Sequence, residues 1–325
     1  MVGLMYPLLL LANLAFLFYW IVRWRWPFMI PLLSIFMGVS HFSTFFQFPF
    51  GKDNEIAEND IKVVTYNVNL FHLFAWSNTP PTYNNVFAFL NQQEADIITL
   101  QEFYVTNSLF TESMAKEKMP NHFSYFDYIT KRDDSAFGMA IFSKHPIINT
   151  GEIKFDDTAN ACIFADIVTN NDTIRIYNSH LQSLRLKERN VNFINNQKFR
   201  KDAQALDEIK DISFRYRDAL QKRAKQVDIF TNHILRSPYS AIVCGDFNDS
   251  PISYNYNQMR KNLKDAFVQA GSGVGYTYKG LFPSFRIDYI LYNPTFKATS
   301  YYSPKVNYSD HYPVVATLRK NTRTH

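Results

Sequence analysis

Apolar and polar residues are arranged in two different ways along the chain. The first fifty residues contain two nearly uncharged apolar stretches, residues 4–22 and 27–50. Beyond residue 60, short apolar runs recur between polar or turn residues, a pattern typical of strands that are buried on at least one face. These runs predict strands at residues 61–68, 96–100, 139–142, 161–168, 173–177, 241–244, 287–292 and 314–318.

Helical periodicity is confined to a few segments. Apolar residues at i, i+3, i+4 and i+7 predict two amphipathic helices. Their positions are Tyr83, Val86, Phe87 and Leu90 in the first and Leu220, Ala224, Val227 and Ile234 in the second. Residues 185–217 are dense in charge and predict an exposed helical insertion, either a solvated face or a basic rim that meets an anionic substrate or lipid headgroups. Because strands outnumber helices without strict alternation, the pattern favours stacked mixed β-sheets flanked by helices.

The apolar N-terminal stretches predict a transmembrane helical hairpin over residues 1–50. A helix over residues 4–22 would be about 28 Å long, close to the hydrocarbon thickness of a bilayer. Between the stretches lies Arg23-Trp24-Arg25-Trp26, in which arginine favours the cytoplasmic side and tryptophan the lipid interface. We therefore expect an integral membrane protein that contacts the lipid bilayer through residues 4–50, with later residues on the periplasmic or extracellular side. A cleaved signal peptide followed by an interfacial helix is the alternative.

The remaining residues read as a polar linker, 51–60, followed by one catalytic domain, 61–320. Two cysteines exclude a disulfide scaffold and a cysteine-rich zinc module. Removing Arg23 and Arg25 from the formal net charge of +5 leaves +3 for residues 51–325. Such a weak excess does not by itself indicate nucleic-acid binding.

Acids, amides and histidines stand at the ends of the predicted strands. Each alone could be a cap or turn residue, but strand ends in α/β domains open onto a common rim where ligands bind. The residues are Asn67, Glu102, His180, Asp246, Asn248, Asp288, Asp310 and His311. Oxygen donors without a cysteine cluster favour Mg²⁺, Mn²⁺ or Ca²⁺, and histidines beside such a metal suit cleavage of phosphate esters. The chain has neither a G-x-x-x-x-G-K-[ST] loop nor a G-x-S-x-G elbow.

These strand ends carry motifs that resemble the endonuclease/exonuclease/phosphatase superfamily, which has the DNase I-like fold. The resemblance spans residues 61–319 and rests on Tyr66-Asn67-Val68-Asn69, Leu100-Gln101-Glu102, Asn178-Ser179-His180-Leu181, Gly245-Asp246-Phe247-Asn248, Arg286-Ile287-Asp288-Tyr289 and Ser309-Asp310-His311-Tyr312-Pro313-Val314. It implies a four-layer α/β sandwich of two mixed β-sheets flanked by helices.

The resemblance also implies a divalent-metal site. Glu102 would be the principal metal ligand, with Asn67 beside it and Asp310 next to the metal. The implied cofactor is Mg²⁺ or Mn²⁺, with Ca²⁺ as a further option.

The same resemblance assigns catalytic roles to residues of this chain. Asp246 would orient or deprotonate the attacking water, and Asn248 would bind a non-bridging phosphate oxygen. His180 would donate to the phosphate or its leaving group. Asp288 would fix and polarise His311, which would stabilise the pentacovalent phosphorus.

Asn69, Asn178 and Arg286 are expected to support the site or contact substrate.

The expected function is that of a membrane-anchored, metal-dependent phosphoesterase. It would hydrolyse a phosphodiester in nucleic acid or a phospholipid head group by in-line attack of water. The alternative is a catalytically silent, membrane-tethered binding module of the same fold, which predicts a broken catalytic position. Every position that matches the motifs is intact.

Overall fold

A computed structural model of the chain describes residues 6–48, 57, 59–73, 80–156, 158, 160–169, 172–184, 189–190, 193, 203–280 and 286–321. The helices are α1 (Tyr6–Val22), α2 (Met29–Phe45), α3 (Tyr83–Gln92), α4 (Glu112–Lys118), α5 (Ala203–Leu235), α6 (Tyr254–Arg260) and α7 (Ala266–Ala270). The strands are β1 (Phe46–Gln47), β2 (Ile61–Asn67), β3 (Ile97–Thr106), β4 (Phe123–Lys131), β5 (Ser135–Ser143), β6 (Ile147–Lys154), β7 (Ala161–Thr169), β8 (Asp172–His180), β9 (Ser240–Asp246), β10 (Lys264–Asp265), β11 (Gly273–Val274), β12 (Asp288–Tyr292), β13 (Phe296–Tyr302) and β14 (Val314–Lys320).

Two large sheets form the centre of the described structure. The first sheet has the strand order β13-β14-β2-β3-β5-β4, and the second has the order β10-β12-β9-β8-β7-β6. Within them β2 runs parallel to β3 and β8 runs parallel to β9, while the other neighbours are antiparallel. The predicted α/β class with mixed sheets is therefore confirmed.

Alternating side chains of each strand face different layers, as the two-residue period of a strand requires. Val63 of β2 packs with residues of the second sheet, whereas the next residue, Val64, packs with helix α3. In the second sheet Ile176 belongs to the core between the sheets, whereas Tyr177 packs with Phe230 of α5. The result is a four-layer arrangement in which helices cover the outer face of both sheets.

Helix α5 contains two segments that were predicted from the sequence as separate elements. It runs without interruption from Ala203 to Leu235, so the described part of the predicted insertion and the second predicted amphipathic helix are one element. Its C-terminal half packs on the second sheet through Val227, Phe230 and Ile234. Residues 185–188, 191–192 and 194–202 of the predicted insertion lie outside the described residues.

The N-terminal hairpin is present as two helices that pack on each other. The hydroxyl of Tyr6 donates to the carbonyl oxygen of Gly38 at 2.8 Å, and its ring stacks on Phe45 with 5.4 Å between ring centroids. Away from this contact both helices present large apolar side chains to the exterior, Phe18 and Phe36 among them.

The prediction that these helices span a membrane is wrong. Among the described residues, none of the helices combines the length and the apolar character needed to cross a bilayer. Helices α1 and α2 have 17 residues each. Helix α2 starts only after Pro27 and gives way to β1 at Phe46. At about 1.5 Å per residue each is about 26 Å long, less than the roughly 30 Å of a hydrocarbon core. The predicted membrane location, with the later residues on the outer side, is therefore wrong, and the predicted contact of residues 4–50 with a bilayer is not supported.

The hairpin is attached to the α/β domain by a strand pair and by a buried arginine. Strand β1 pairs antiparallel with β11, with Phe46 opposite Val274. Arg286 lies just before β12, and its Nη2 donates to the carbonyl oxygen of Thr44 at 3.0 Å. Most of the predicted linker, 51–56 and 58, lies outside the described residues.

Candidate active site

The carboxyl ends of the parallel strands of both sheets meet at one edge of the sandwich. Asn67 ends β2 in the first sheet and Asp246 ends β9 in the second. Asn67 Nδ2 donates to Asp246 Oδ2 at 3.1 Å and to Glu102 Oε1 at 3.2 Å. A single amide thus connects two carboxylates from different sheets.

A left-handed turn fixes the orientation of the Asn67 amide. Asn67 Oδ1 accepts a hydrogen bond from the backbone nitrogen of Asn69 at 3.1 Å, so Nδ2 faces the carboxylates. The turn Asn69–His72 has φ between +46° and +54° at every residue, a conformation that costs L-residues about 1–2 kcal/mol each. Buried Phe71 holds the turn against Phe103 and Phe110. Asn69 therefore supports the site through its backbone.

Glu102 is aimed into the cleft by an irregularity in β3. The pairing of β3 with β5 shifts register between Leu100 and Phe103, and Glu102 has a φ of +52°. Such bulges redirect side chains, often next to active sites. The Glu102 side chain keeps 26% of its surface exposed. Its pKa is raised, first because protein replaces water around it and then by the negative charges of Asp310 and Asp288, against the opposing effect of His311.

His180 ends β8 and stands between two carboxylates. Its Nε2 is 3.5 Å from Glu102 Oε1 and 3.8 Å from Asp246 Oδ2. Only 7% of its side chain is exposed. The imidazole therefore lies where a proton can be passed to a group held between these acids.

Asp246 is the most heavily hydrogen-bonded acid of the cluster. Its Oδ1 accepts from the backbone nitrogen of Asn248 at 2.8 Å, and its Oδ2 accepts from Asn248 Nδ2 at 3.2 Å. Burial, and then the charge of Asp288, raise the pKa of Asp246 to about 6, against the effects of His311 and His180. Asn248 itself has a φ of +52°, a strained conformation of the kind that clusters at functional sites.

Asp288 and His311 form a buried pair at the start of β12. His311 Nδ1 lies 2.9 Å from Asp288 Oδ2 and 3.2 Å from Oδ1, and His311 Nε2 is 3.8 Å from Asp246 Oδ2. Burial alone would lower the pKa of His311, but the charges of Asp288 and Asp246 raise it to about 10. The two carboxylates thus favour the protonated form of the ring, whose Nε2 faces Asp246.

A serine ties the segment that carries Asp310 and His311 to the first sheet. Ser309 Oγ donates to the carbonyl oxygen of Asn67 at 2.8 Å and accepts from the backbone nitrogen of His311 at 3.1 Å. Asp310 Oδ1 lies 3.2 Å from the same hydroxyl. Asp310 therefore sits at the rim, close enough to Glu102 to affect its pKa.

Two of the predicted site residues lie away from this cluster. Asn178 is fully buried between the sheets, where its Nδ2 donates to the carbonyl oxygens of Leu100 at 2.8 Å and Ala140 at 3.0 Å. Arg286 is buried against Asp265, with 2.7 Å between Nη1 and Oδ2. In these positions both side chains support the structure beneath and beside the cleft.

Sequence reasoning missed residues that position the cluster. Thr277 Oγ1 accepts from the backbone nitrogens of Ile287 and Asp288, both at 3.1 Å. The ring of Tyr278 packs on His311 with 4.9 Å between ring centroids. No spacing in the sequence marks these residues, because they reach Asp288 and His311 only through the fold.

The donor set fits a hard divalent cation. Carboxylates of Glu102, Asp246 and Asp288 lie around the cleft, and burial and the charge of Asp288 raise the pKa values of Glu102 and Asp246. Ligand atoms of Asp246, Asp288 and His311 lie within 4.8 Å of one another. Because His311 is paired with Asp288, the carboxylate oxygens are the donors that a cation would meet. Oxygen-rich sites of this kind select Mg²⁺, Mn²⁺ or Ca²⁺.

Comparison with known families decides the affiliation of this domain. The profile described as "Endonuclease/Exonuclease/phosphatase family" matches residues 64–311, which include every residue of the cluster. The chain belongs to the endonuclease/exonuclease/phosphatase family. Membership supports a hydrolase of the phosphoesterase type. A domain of unknown function matches residues 1–45, which contain α1 and α2.

Solved structures with this family's fold are similar to the chain at low sequence identity. An endonuclease/exonuclease/phosphatase from Beutenbergia cavernae is 15% identical, with a TM-score of 0.61 over 81% of this chain and 72% of that one. The human nocturnin catalytic domain, solved with a sulfate anion, is 17% identical, with a TM-score of 0.58 over 85% of this chain and 100% of that one. TDP2 of D. rerio, solved with a single-strand DNA product, is 16% identical, with a TM-score of 0.57 over 81% and 100%. A search of curated proteins gave no match.

Proposed function

We propose that this chain is a divalent-metal-dependent phosphodiesterase that hydrolyses its substrate by in-line attack of water. One observation carries the proposal: Asn67, Glu102, His180, Asp246 and His311 converge from both sheets on one cleft, with His311 paired to Asp288 at 2.9 Å. We assign the catalytic unit to residues 61–320.

Glu102 would hold the metal, with Asp310 beside it. Glu102 is a partly exposed acid at the mouth of the cleft, and its Oε1 faces the Asn67 amide at 3.2 Å and His180 Nε2 at 3.5 Å. Asn67 offers Nδ2 to the cleft, so a ligand role for this residue requires rotation of the amide. A bound divalent cation would supply Lewis-acid stabilisation of the phosphoryl oxygens.

Asp246 would take the proton of the attacking water. Its raised pKa of about 6 places it near the operating pH, which suits a general base. The Asn248 backbone and the two amide side chains hold the carboxylate in place. As the water oxygen bonds to phosphorus, its proton passes to Asp246 and the opposite P–O bond breaks.

Three further side chains would act on the charge of the transition state. His311, kept protonated by Asp288, would donate from Nε2 to a non-bridging oxygen. Asn248 Nδ2 would exchange its contact with Asp246 for another such oxygen. His180 would give a proton to the leaving oxygen. Donors fixed before the reaction are the most effective means of stabilising such charge.

The proposed substrate class is a phosphodiester of nucleic acid or of a phospholipid head group. The structure of D. rerio TDP2 contains a single-strand DNA product, and that of nocturnin a sulfate, an anion of phosphate-like shape and charge. Both likenesses support a phosphate-binding cleft here. The modest positive charge of the chain favours neither polymer nor lipid.

The test is a substrate panel on the full-length chain. Plasmid DNA, RNA, sphingomyelin-type lipid, phosphoinositides and an aryl phosphodiester would each be incubated with Mg²⁺ or Mn²⁺. We expect turnover of at least one phosphodiester, and a loss of about 10³-fold or more in Glu102→Ala and His311→Ala.

Matched controls separate chemistry from folding. Glu117→Ala removes an exposed acid on α4, and His145→Ala removes a histidine at the opposite end of the sheets. Both should retain wild-type rates. Wild-type rates in Glu102→Ala would overturn the metal assignment. Binding of a phosphodiester by the wild-type chain without turnover would instead identify a catalytically silent module.

A further inference from the structure

A buried arginine on α5 contacts the loops that follow both catalytic strands of the second sheet. Arg223 exposes only 1% of its surface. Its Nη1 donates to the carbonyl oxygen of Gln182 at 3.1 Å and to that of Asn248. Its Nε lies 3.5 Å from Oδ2 of Asp249. One guanidinium thus reaches the segment after His180 and the segment after Asp246.

Burial of this group is energetically demanding. A guanidinium removed from water costs several kcal/mol unless charges and hydrogen bonds compensate. Asp249 supplies the charge, but Asp249 Oδ2 also accepts from Asn255 at 2.7 Å. An ion pair alone would not require Nη1 to lie between two carbonyl oxygens. The arrangement is explained if Nη1 of Arg223, which donates to both carbonyl oxygens, sets the distance between the two loops.

The contact with Asn248 falls on a site residue whose backbone is in the left-handed region, as the backbone of Glu102 also is. Asn248 has a φ of +52°, and such a conformation persists only where the surroundings over-determine it. From this conformation Asn248 Nδ2 reaches Asp246 Oδ2 at 3.2 Å and the carbonyl oxygen of Leu181 at 2.9 Å. Arg223 holds the carbonyl of the same residue, and therefore the direction of its side chain.

A second side chain of α5 contributes to the same arrangement. Gln226, three residues further along α5, lies on the same face of the helix. Its Oε1 accepts from the backbone nitrogen of Gln182 at 2.9 Å, while Arg223 binds the carbonyl oxygen of that residue. The backbone after His180 is therefore fixed at both polar groups of Gln182.

We infer that Arg223 is a positioning residue that acts through Asn248, with Gln226 fixing the neighbouring loop. This inference rests on the proposed function, because the role of Asn248 that Arg223 would position belongs to that hydrolysis. The described contacts of the guanidinium are with the carbonyl oxygens of Gln182 and Asn248 and the carboxylate of Asp249. It keeps the amide of Asn248 where a non-bridging oxygen would bind.

A double-mutant cycle on the full-length chain tests the inference. Arg223→Lys keeps the charge but cannot serve two carbonyls and Asp249 with a planar fork. With an aryl phosphodiester and Mg²⁺ we expect its kcat to fall about tenfold or more, with KM changed about twofold or less. In the Asn248→Ala background the same substitution should change kcat less than about twofold, because its target is already absent.

Stability and neighbouring variants complete the design. The thermal midpoint of each variant shows whether it is folded at the assay temperature. Lys222→Gln, at a neighbouring position of α5 whose side chain is 40% exposed and forms an ion pair with Asp218, should retain wild-type kcat. Gln226→Met leaves the buried charge in place, and we expect a several-fold fall in kcat that disappears in the His180→Ala background. If Arg223→Lys does not fold, Gln226→Met replaces it as the test of whether α5 positions the loops of the site.

The outcomes are distinguishable. Multiplicative effects of Arg223→Lys and Asn248→Ala on kcat, or a wild-type kcat in Arg223→Lys, overturn the inference and leave the proposed function standing. A wild-type chain without turnover, or Asn248→Ala with wild-type kcat, overturns the assigned role of Asn248 and the inference with it. A fall in kcat in Arg223→Lys that nearly disappears in the Asn248→Ala background supports the inference.

Discussion

Gln101 Nε2 donates to Asn178 Oδ1 at 2.6 Å, directly beneath the cleft. Gln101 belongs to β3 of the first sheet and Asn178 to β8 of the second, and both are completely buried. Asn178 also donates to carbonyl oxygens of β3 and β5. These bonds connect the two sheets at the depth where the catalytic strands end, so they fix the separation of the two halves of the site.

Replacement of Asn178 by leucine should therefore destabilise the fold and impair the cleft. Gln101 and two carbonyl oxygens would lose partners in a buried position, at a cost of about 1–3 kcal/mol for each group left unsatisfied. Urea denaturation should show a fall of at least about 2 kcal/mol in the free energy of unfolding. Asn85→Ala, at an exposed position of α3, is the control and should change it by less than about 0.5 kcal/mol. Equal stabilities of the two variants would contradict this role.

Gly245 should tolerate no side chain. It has a φ of +133°, and a Cβ there would collide with the backbone oxygen of Ser179 on the neighbouring strand. We expect Gly245→Ala to lower the free energy of unfolding by more than about 2 kcal/mol and to displace Asp246. Gly273→Ala is the matched control, because Gly273 has a φ of +66° but nothing within 4 Å of its Cβ position. That variant should lose only about 1 kcal/mol of conformational strain, and a similar loss in both would refute the collision.

Thr277 should be required for the position of Asp288. Thr277→Val preserves shape but removes the acceptor of two buried backbone N–H groups, which costs about 1–3 kcal/mol. We expect kcat for the phosphodiester to fall about tenfold, because Asp288 and His311 shift together. Thr277→Ser keeps the hydroxyl and should restore most of the rate. If valine and serine variants had the same kcat, the hydroxyl would have no part in positioning Asp288.

Metal binding should depend on Glu102. A ligand that binds only the folded state stabilises it by about 2.7 kcal/mol at a hundredfold excess over its Kd. Addition of Mg²⁺ or Mn²⁺ should therefore raise the thermal midpoint of the wild-type chain but not that of Glu102→Gln. EDTA should stop hydrolysis, and excess Mg²⁺ should restore it. Glu117→Gln should respond to metal as the wild type does; full activity in EDTA would exclude a metal requirement.

The pair formed by Asp60 and Arg319 should make stability depend on acid pH. Burial raises the pKa of Asp60, but the guanidinium of Arg319, which donates at 2.8 and 2.9 Å, and the Ala57 N–H lower it below its ordinary value of 3.8. A lowered folded-state pKa means that the stabilisation is present above the unfolded pKa and is lost as pH falls through the folded one. Asp60→Asn should cost about 1 kcal/mol above about pH 5, and the difference should shrink below about pH 4.

The control for this pair is Asp218→Asn, which breaks an exposed ion pair with Lys222. Exposed pairs contribute little, so this variant should lose less than about 0.5 kcal/mol at any pH. Urea titrations at several pH values measure both variants. A constant difference between wild type and Asp60→Asn down to about pH 2 would contradict the assignment.

The interior of each sheet could be read from the sequence, whereas its edges could not. Every predicted strand corresponds to an interior strand of one of the two large sheets, and the strands of these sheets that were missed, β4, β6, β10 and β13, are the outermost ones. The short strands β1 and β11 were missed as well. Strand β4 has no fully buried residue and β6 has only Ile153, whereas β13 has four buried residues but interrupts them with Lys297 and Ser300. Apolar runs reveal strands with neighbours on both sides, while an edge strand mixes polar residues into its sequence.

The site was predictable where short motifs carry the reactive groups and unpredictable where long-range packing decides. The chain brings Asn67, Glu102, His180, Asp246 and His311 together as their strand-end positions suggested. Asn178 and Arg286 stand in the same motifs, yet both side chains are buried: Asn178 between the sheets, and Arg286, just before β12, against Asp265. Thr277 and Arg223 carry no motif and are recognised only from their contacts.

The contact between Arg286 and Thr44 bears on how this protein should be dissected. A fragment cut at the apparent start of the catalytic unit would leave a buried guanidinium without one of its acceptors, two positions before Asp288. Its partner Asp265 and the flanking rings of Phe267 and Tyr289 would remain, but one buried donor would lose its acceptor next to the segment that positions Asp288. The helical hairpin, residues 6–45, therefore contributes to the surroundings of the cleft, and activity should be measured on a chain that retains it.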